Sequence, residues 1–112
     1  MDLFKTFKIK LVGCNFTNPK KAPEVGDVIK VKLEPDNKVD KDAIVVVNQA
    51  GEKIGYVGTN KTVSEGNKRN GCVDNLTLKS LIDFNDDDSY LGIITKFKGY
   101  FGFCDITVYV GD

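Results

Sequence analysis

The chain has 112 residues, 29% of them charged and 41% apolar, and its 16 lysines and arginines are balanced by 16 acids. That length suits one domain with one core, and zero net charge excludes an overall field that draws the protein onto nucleic acid or an anionic membrane, so any such attraction must be local. Histidine is absent, which removes imidazole triads, imidazole metal sites and the commonest general base near neutral pH. No apolar run approaches the ~20 residues of a membrane helix, and the start, MDLFKTFKIK, lacks a secretory pattern. The expected location is the cytoplasm, with no membrane partner. Three isolated cysteines, Cys14, Cys72 and Cys104, with no CxxC pair, predict neither a disulfide framework nor a zinc site. In a cytoplasmic chain the sequons at Asn15, Asn60 and Asn75 are chance matches.

In chain order, Phe7, Ile9 and Leu11 alternate with Lys8 and Lys10, the period-two pattern of a half-buried strand, which loosens at Gly13. TNPKKAPEVGD reads as a loop leading to a second strand, where Ile29, Val31 and Leu33 alternate with Lys30 and Lys32. If these strands lie side by side, as sequential strands usually do, the four lysines form one basic patch. Pro35 ends the second strand. An acidic turn follows, in which Asp36, Asn37, Asp40 and Asp42 are of the types that fold back onto backbone amides.

Ala43 to Val47 is a continuous apolar run suited to a strand covered on both faces, and NQAGE reverses it into KIGYV as a hairpin. Strand pattern then fades from Thr59 to Asn85. Thr59 is placed to cap a helical turn through Glu65, and Asn75 to cap another from Leu76 to Ile82. In DFNDDDS, Asp83, Asn85 and Asp87 have calcium-loop spacing, but Asp88 stands where glycine is needed and Ile94 where a glutamate closes the cage. No metal is expected there. The tail returns to strands, Tyr90 to Phe97 and then Cys104, Ile106, Val108 and Val110 in alternation, joined through KGYFG. The whole predicts a mostly β fold with short helices, a small OB-like or SH3-like barrel, in one domain over residues 1–112.

The phrase Glu34, Pro35, Asn37, Asp40, Ala43, Ile44, Val46, then Gly55, Tyr56 and Val57 after the hairpin, with an upstream strand ending at Val12 and Gly13, resembles the HIRAN domain. Residues 66–80 follow the pattern poorly. The resemblance implies a barrel of HIRAN type without catalysis or cofactor, which contacts single-stranded DNA at a 3′-hydroxyl end. It places Asp40 as the acceptor for the terminal hydroxyl, Asn37 as the shaper of the turn, and Tyr56 and Lys10 on the DNA-facing surface. Lys8, Lys30, Lys32 and Lys38 are expected at phosphates, and Tyr56, Tyr90, Tyr100 and Phe101 are candidates for base stacking. Val39 stands where end-binding members carry a stacking aromatic, and Leu33 where an arginine is frequent.

The alternative is a small protein-interaction module or inhibitor of phage or mobile-element type, anti-CRISPR-like, directed at a nucleic-acid enzyme such as a nuclease or helicase. Zero net charge and the acidic DFNDDDS segment, able to imitate phosphates, favour it. Enzymatic action is not expected, because in the turn of Asp36, Asp40 and Asp42 at most two carboxylates could face one ion.

Overall fold

The computed structural model describes residues 4–59, 72–81 and 90–109. The expected turn beyond Thr59, the calcium-like segment 83–89, Ile82 and Val110 lie outside the described residues. Strands β1 (Phe4–Val12), β2 (Val28–Leu33), β3 (Ile44–Val47), β4 (Lys53–Val57), β5 (Cys72–Val73), β6 (Tyr90–Phe97) and β7 (Gly102–Tyr109) are accompanied by a 3-10 turn at Cys14–Phe16 and a helix α1 (Asn75–Leu81). Six strands close a barrel in the circular order β1, β4, β3, β2, β6, β7 and back to β1, every neighbouring pair antiparallel. The short β5 adds to β1 in parallel.

Alternation decides which face each strand buries. Ile9 and Leu11 of β1, Ile29 and Val31 of β2, Ile44 and Val46 of β3, Ile54 of β4, Ile94 of β6, and Cys104 and Ile106 of β7 share the barrel interior. Each such aliphatic side chain contributes about 1.5–3 kcal/mol relative to an exposed one. Leu78 joins them from α1. The helix is capped by Asp74 and not, as its sequence suggests, by Asn75: Asp74 Oδ1 accepts from the Thr77 amide at 2.7 Å, while Asn75 is buried and its side chain reaches elsewhere.

One expectation is overturned. β1 and β2 are not neighbours: β1 pairs with β7 on one edge and with β4 and β5 on the other, and β2 pairs with β3 and β6. Two strands separate them in either direction around the barrel, so Lys8 and Lys10 stand on the opposite side from Lys30 and Lys32. The long connection 13–27 makes this possible. It leans on the β3–β4 hairpin instead of turning back on itself, with the Lys20 amide donating to Glu52 Oε2 at 3.0 Å.

The β1–β4 seam closes the barrel through the pairs Leu11 with Val57 and Val12 with Tyr56. It closes because Gly55 has no side chain: a Cβ there would stand 2.7 Å from both Leu11 Cδ1 and the Val12 carbonyl oxygen. Gly13, at φ 70°, turns the chain out of β1 in a conformation that glycine adopts without steric cost.

Candidate nucleic-acid interface

The acidic turn between β2 and β3 is organised from within. Asn37 Oδ1 accepts the amides of Val39 and Asp40, both at 2.9 Å, and its Nδ2 donates to Glu34 Oε1 at 2.8 Å. The Tyr56 hydroxyl donates to the same oxygen at 2.9 Å, and Lys53 Nζ pairs with Glu34 Oε2 at 2.9 Å. Glu34 is therefore the hub that ties the turn to β4. Burial pushes its carboxyl upward, but hydrogen bonds from Lys53, Asn37 and Tyr56 outweigh that and hold it below the ordinary glutamate range. Burial and the Glu34 carboxylate raise the Tyr56 phenol, which stays a neutral donor.

Asp40 is tied less completely. Its Oδ1 accepts the Asp42 amide at 2.9 Å, and its Oδ2 receives a long 3.3 Å bond from Asn75 Nδ2. Asn75 also donates to the Asp42 carbonyl at 3.0 Å, and its own amide donates to the Gly58 carbonyl at 3.0 Å. The Gly58 amide in turn donates to the Lys10 carbonyl at 2.8 Å. A hydrogen-bonded path thus links Asp40, α1, the end of β4 and β1. A carboxylate offers about four acceptor positions, so the half-buried Asp40 retains capacity for a donor arriving from outside.

The lysines fall on two surfaces. On one, Lys10 Nζ stands 5.2 Å over the Phe101 ring, which meets Phe103 edge-on at 6.0 Å and Tyr100 at 5.0 Å. Lys8 lies opposite Asp105 and beside Cys72. On the other, Val45 and Val47 project outward from β3 yet are only 2% and 4% exposed. Their cross-strand neighbours are Lys32 and Lys30 on β2, and Tyr56 and Lys53 on β4, so lysine stems cover the valines while the ammonium heads reach water. A groove of about 420 Å³ runs between Lys32 and Lys53, with Glu34 and Asp36 also among its lining. Lys38 is exposed on the acidic turn.

Tyr56 lies between the two surfaces, opposite Val12 on one side and Val45 on the other. Of the other expected aromatics, Tyr100 is exposed, Phe101 is half-buried and Tyr90 packs against the core. Sequence reading passed over Lys53 and Asn75 as site residues. Lys53 carries only the outward signal of its alternation with Ile54, and Asn75 shows no local sign of the turn it reaches, which lies more than thirty residues earlier in the chain.

The HIRAN domain family model matches residues 4–65, more than half of the chain. The chain belongs to the HIRAN domain family. Its HIRAN fold is similar to the crystal structure of the HIRAN domain of human HLTF, with a TM-score of 0.62 and 15% identity over 96% of this chain and 77% of that one. It is also similar to the crystal structure of a protein from Lactobacillus plantarum, with a TM-score of 0.55 and 13% identity over 95% and 99% of the two chains. A search of curated proteins finds no match. HIRAN domains are DNA-binding modules, not catalytic ones.

Proposed function

We propose that this HIRAN domain binds single-stranded DNA at a 3′-hydroxyl end, without catalysis. The observation that carries the reading is the state of Asp40, a carboxylate fixed through one oxygen and only loosely engaged through the other, at the rim of a seam that also presents Tyr56 and Lys10. A terminal hydroxyl donates to such a group, and a charge-assisted bond of this kind is worth about 1.5–3 kcal/mol. A terminal phosphate meets it with like charge. Asn37 serves by holding the turn, since both ends of its amide are already engaged there. Phosphates nearest the end are met by Lys38 on the turn, and those upstream by Lys10 and Lys8; Lys30 and Lys32, on the opposite side of the barrel, lie off this path.

Titration of labelled single strands ending in a 3′-hydroxyl or a 3′-phosphate tests this. The hydroxyl strand is expected to bind about 10-fold or more tightly, and Asp40→Asn to remove most of the difference. Equal affinity for both ends in the wild type sinks end recognition.

A second reading, contact with a protein partner such as a nuclease or helicase, is favoured by one feature on the far side of the barrel. Leu91 and Ile93 project outward from β6 and are about half exposed, beside a shallow depression of about 440 Å³ that includes Val28. A complex that survives nuclease treatment and is lost in Ile93→Asp would support it; one lost on nuclease treatment alone would not.

A further inference from the structure

Leu91 and Ile93 stand two residues apart on the outer side of β6 and are 55% and 49% exposed. Among the described residues, the other large apolar side chains that reach solvent stand in turns, loops or the helix. Such residues exposed singly need no explanation. These two form a ridge at the centre of a sheet face, and cross-strand register sets its neighbours in rows. One row runs Lys8, Asp105, Ile93 and Val28, from β1 through β7 and β6 to β2. The next has Thr6 and Thr107 at its β1–β7 end, then Leu91 with Lys30 beside it on β2.

Two charges occupy opposite corners of this ridge. Asp105 flanks Ile93 on the β7 side and Lys30 flanks Leu91 on the β2 side, about 12 Å apart along the diagonal at ordinary strand spacings. Neither enters an ion pair or a side-chain hydrogen bond among the described residues, although Lys8 stands across from Asp105 on β1. Beside the ridge lies the hollow of about 440 Å³, bordered on the β1–β7 side by Thr6, Asp105 and Thr107. A surface with this layout complements itself. Turned over about a two-fold axis that lies in the face and crosses the diagonal at a right angle, each Asp105 meets the other copy's Lys30, and each Leu91 lies over the other's hollow. A partner patch of one sign would leave one corner repelled, whereas a second copy satisfies both.

Resting on the reading of this face as a protein contact, we infer that its partner is a second copy of this chain, in a dimer held by two reciprocal Asp105–Lys30 pairs around the Leu91 and Ile93 ridges. Such an isologous contact uses the same patch on both sides and closes at two subunits. Two rows across four strands make a small interface, so the dimer is reversible at about micromolar concentrations. In the circular strand order β6 lies diametrically across the barrel from β4, which carries Tyr56. The dimer therefore leaves the β1–β4 seam of each copy open, and presents two such seams pointing away from each other.

The test is sedimentation velocity from about 1 to 300 µM, with thermal melts run in parallel. The wild type is expected to rise with concentration from 12.4 kDa towards twice that mass, and Ile93→Asp to stay monomeric while melting with the wild type. Lys30→Asp and Asp105→Lys are each expected to weaken the dimer about 10-fold or more, because two attractive pairs become two like-charge pairs. Mixing these two variants is expected to restore association, since the pairs formed between them are again of opposite sign. Should Asp105→Lys fail to melt cooperatively, Ile93→Asp and Lys30→Asp still decide the matter. A wild-type dimer that both leave intact overturns the proposal. A wild type that stays at 12.4 kDa throughout also overturns it. If Ile93→Asp nevertheless abolishes nuclease-resistant capture of a different protein, the protein-contact reading stands without the dimer; with no such capture, both fall. Ile93→Asp is expected to bind a 3′-hydroxyl strand as the wild type does, and a loss there would place this face in the strand site instead.

Discussion

At Gly55 the needs of the fold and of the site coincide. The residue faces inward beneath the crossing of β1, and a methyl group there would meet Leu11 and the Val12 carbonyl at distances that side chains do not occupy. Gly55→Ala is expected to cost about 1–3 kcal/mol, read as a lower urea midpoint, and to loosen the strand that carries Tyr56. Glu34 makes a different case. Its carboxyl is held below the ordinary range by its three donors, so their stabilisation is present above that range and is lost as pH falls through the lowered value. Glu34→Gln removes this loss. Because Lys53 remains more than half exposed in the pair, the variant is expected to lose at most about 1 kcal/mol at neutral pH. Its stability should fall less steeply below about pH 4.3, a difference that denaturant curves measured across the acid range will show. Asp42 and Glu52, lowered by Lys79 and by the Lys20 amide respectively, keep the slope from vanishing.

Among the elements, β3 was the most legible. Its unbroken Ile44–Val47 run announces burial on both faces, and all four residues are buried. What the run does not announce is its cover on the outer side, which consists of lysine stems and a tyrosine rather than a second apolar layer. The bounds of β6, Tyr90–Phe97, coincide with the alternation. The helix was legible as an element but not in its job, because Asn75 has the residue type of a cap and the position of a bridge. The amide group of this buried residue donates to the Asp42 carbonyl and steadies Asp40. Asn75→Ala leaves that carbonyl without its partner and is expected to cost about 1–3 kcal/mol. Faster hydrogen exchange at Leu78, whose amide bonds to the Asp74 carbonyl, is the measurement that follows from α1 losing its hold on the turn. Unchanged exchange there would mean that Leu78 alone docks the helix.

At the scale of the whole molecule, adjacency in sequence misled about adjacency in space. Alternation fixes which face of a strand is wet, but not which strands meet, and barrel closure here gave β1 to β4 and β7. The same closure determines where the protein opens. Along β7, β1 is paired from Phe4 to Leu11, whereas its seam with β4 holds through Leu11 and Val12 and the Gly58 amide bond to Lys10. Local opening costs least where the fewest bonds must break, which makes the seam the first part of the barrel to part. A strand gripped by Asp40 and Tyr56 on one side and Lys10 on the other lies across that seam. At a free ligand concentration of about 100 Kd it should therefore add about 2.7 kcal/mol to the opening free energy. Native-state hydrogen exchange is expected to slow by about 100-fold at the Gly58 amide. The Gly51 amide, in the β3–β4 turn away from the seam, should keep its rate. If Gly58 exchanges equally fast with and without the strand, the DNA does not span the seam, and the acidic turn and Lys10 act on separate ligands.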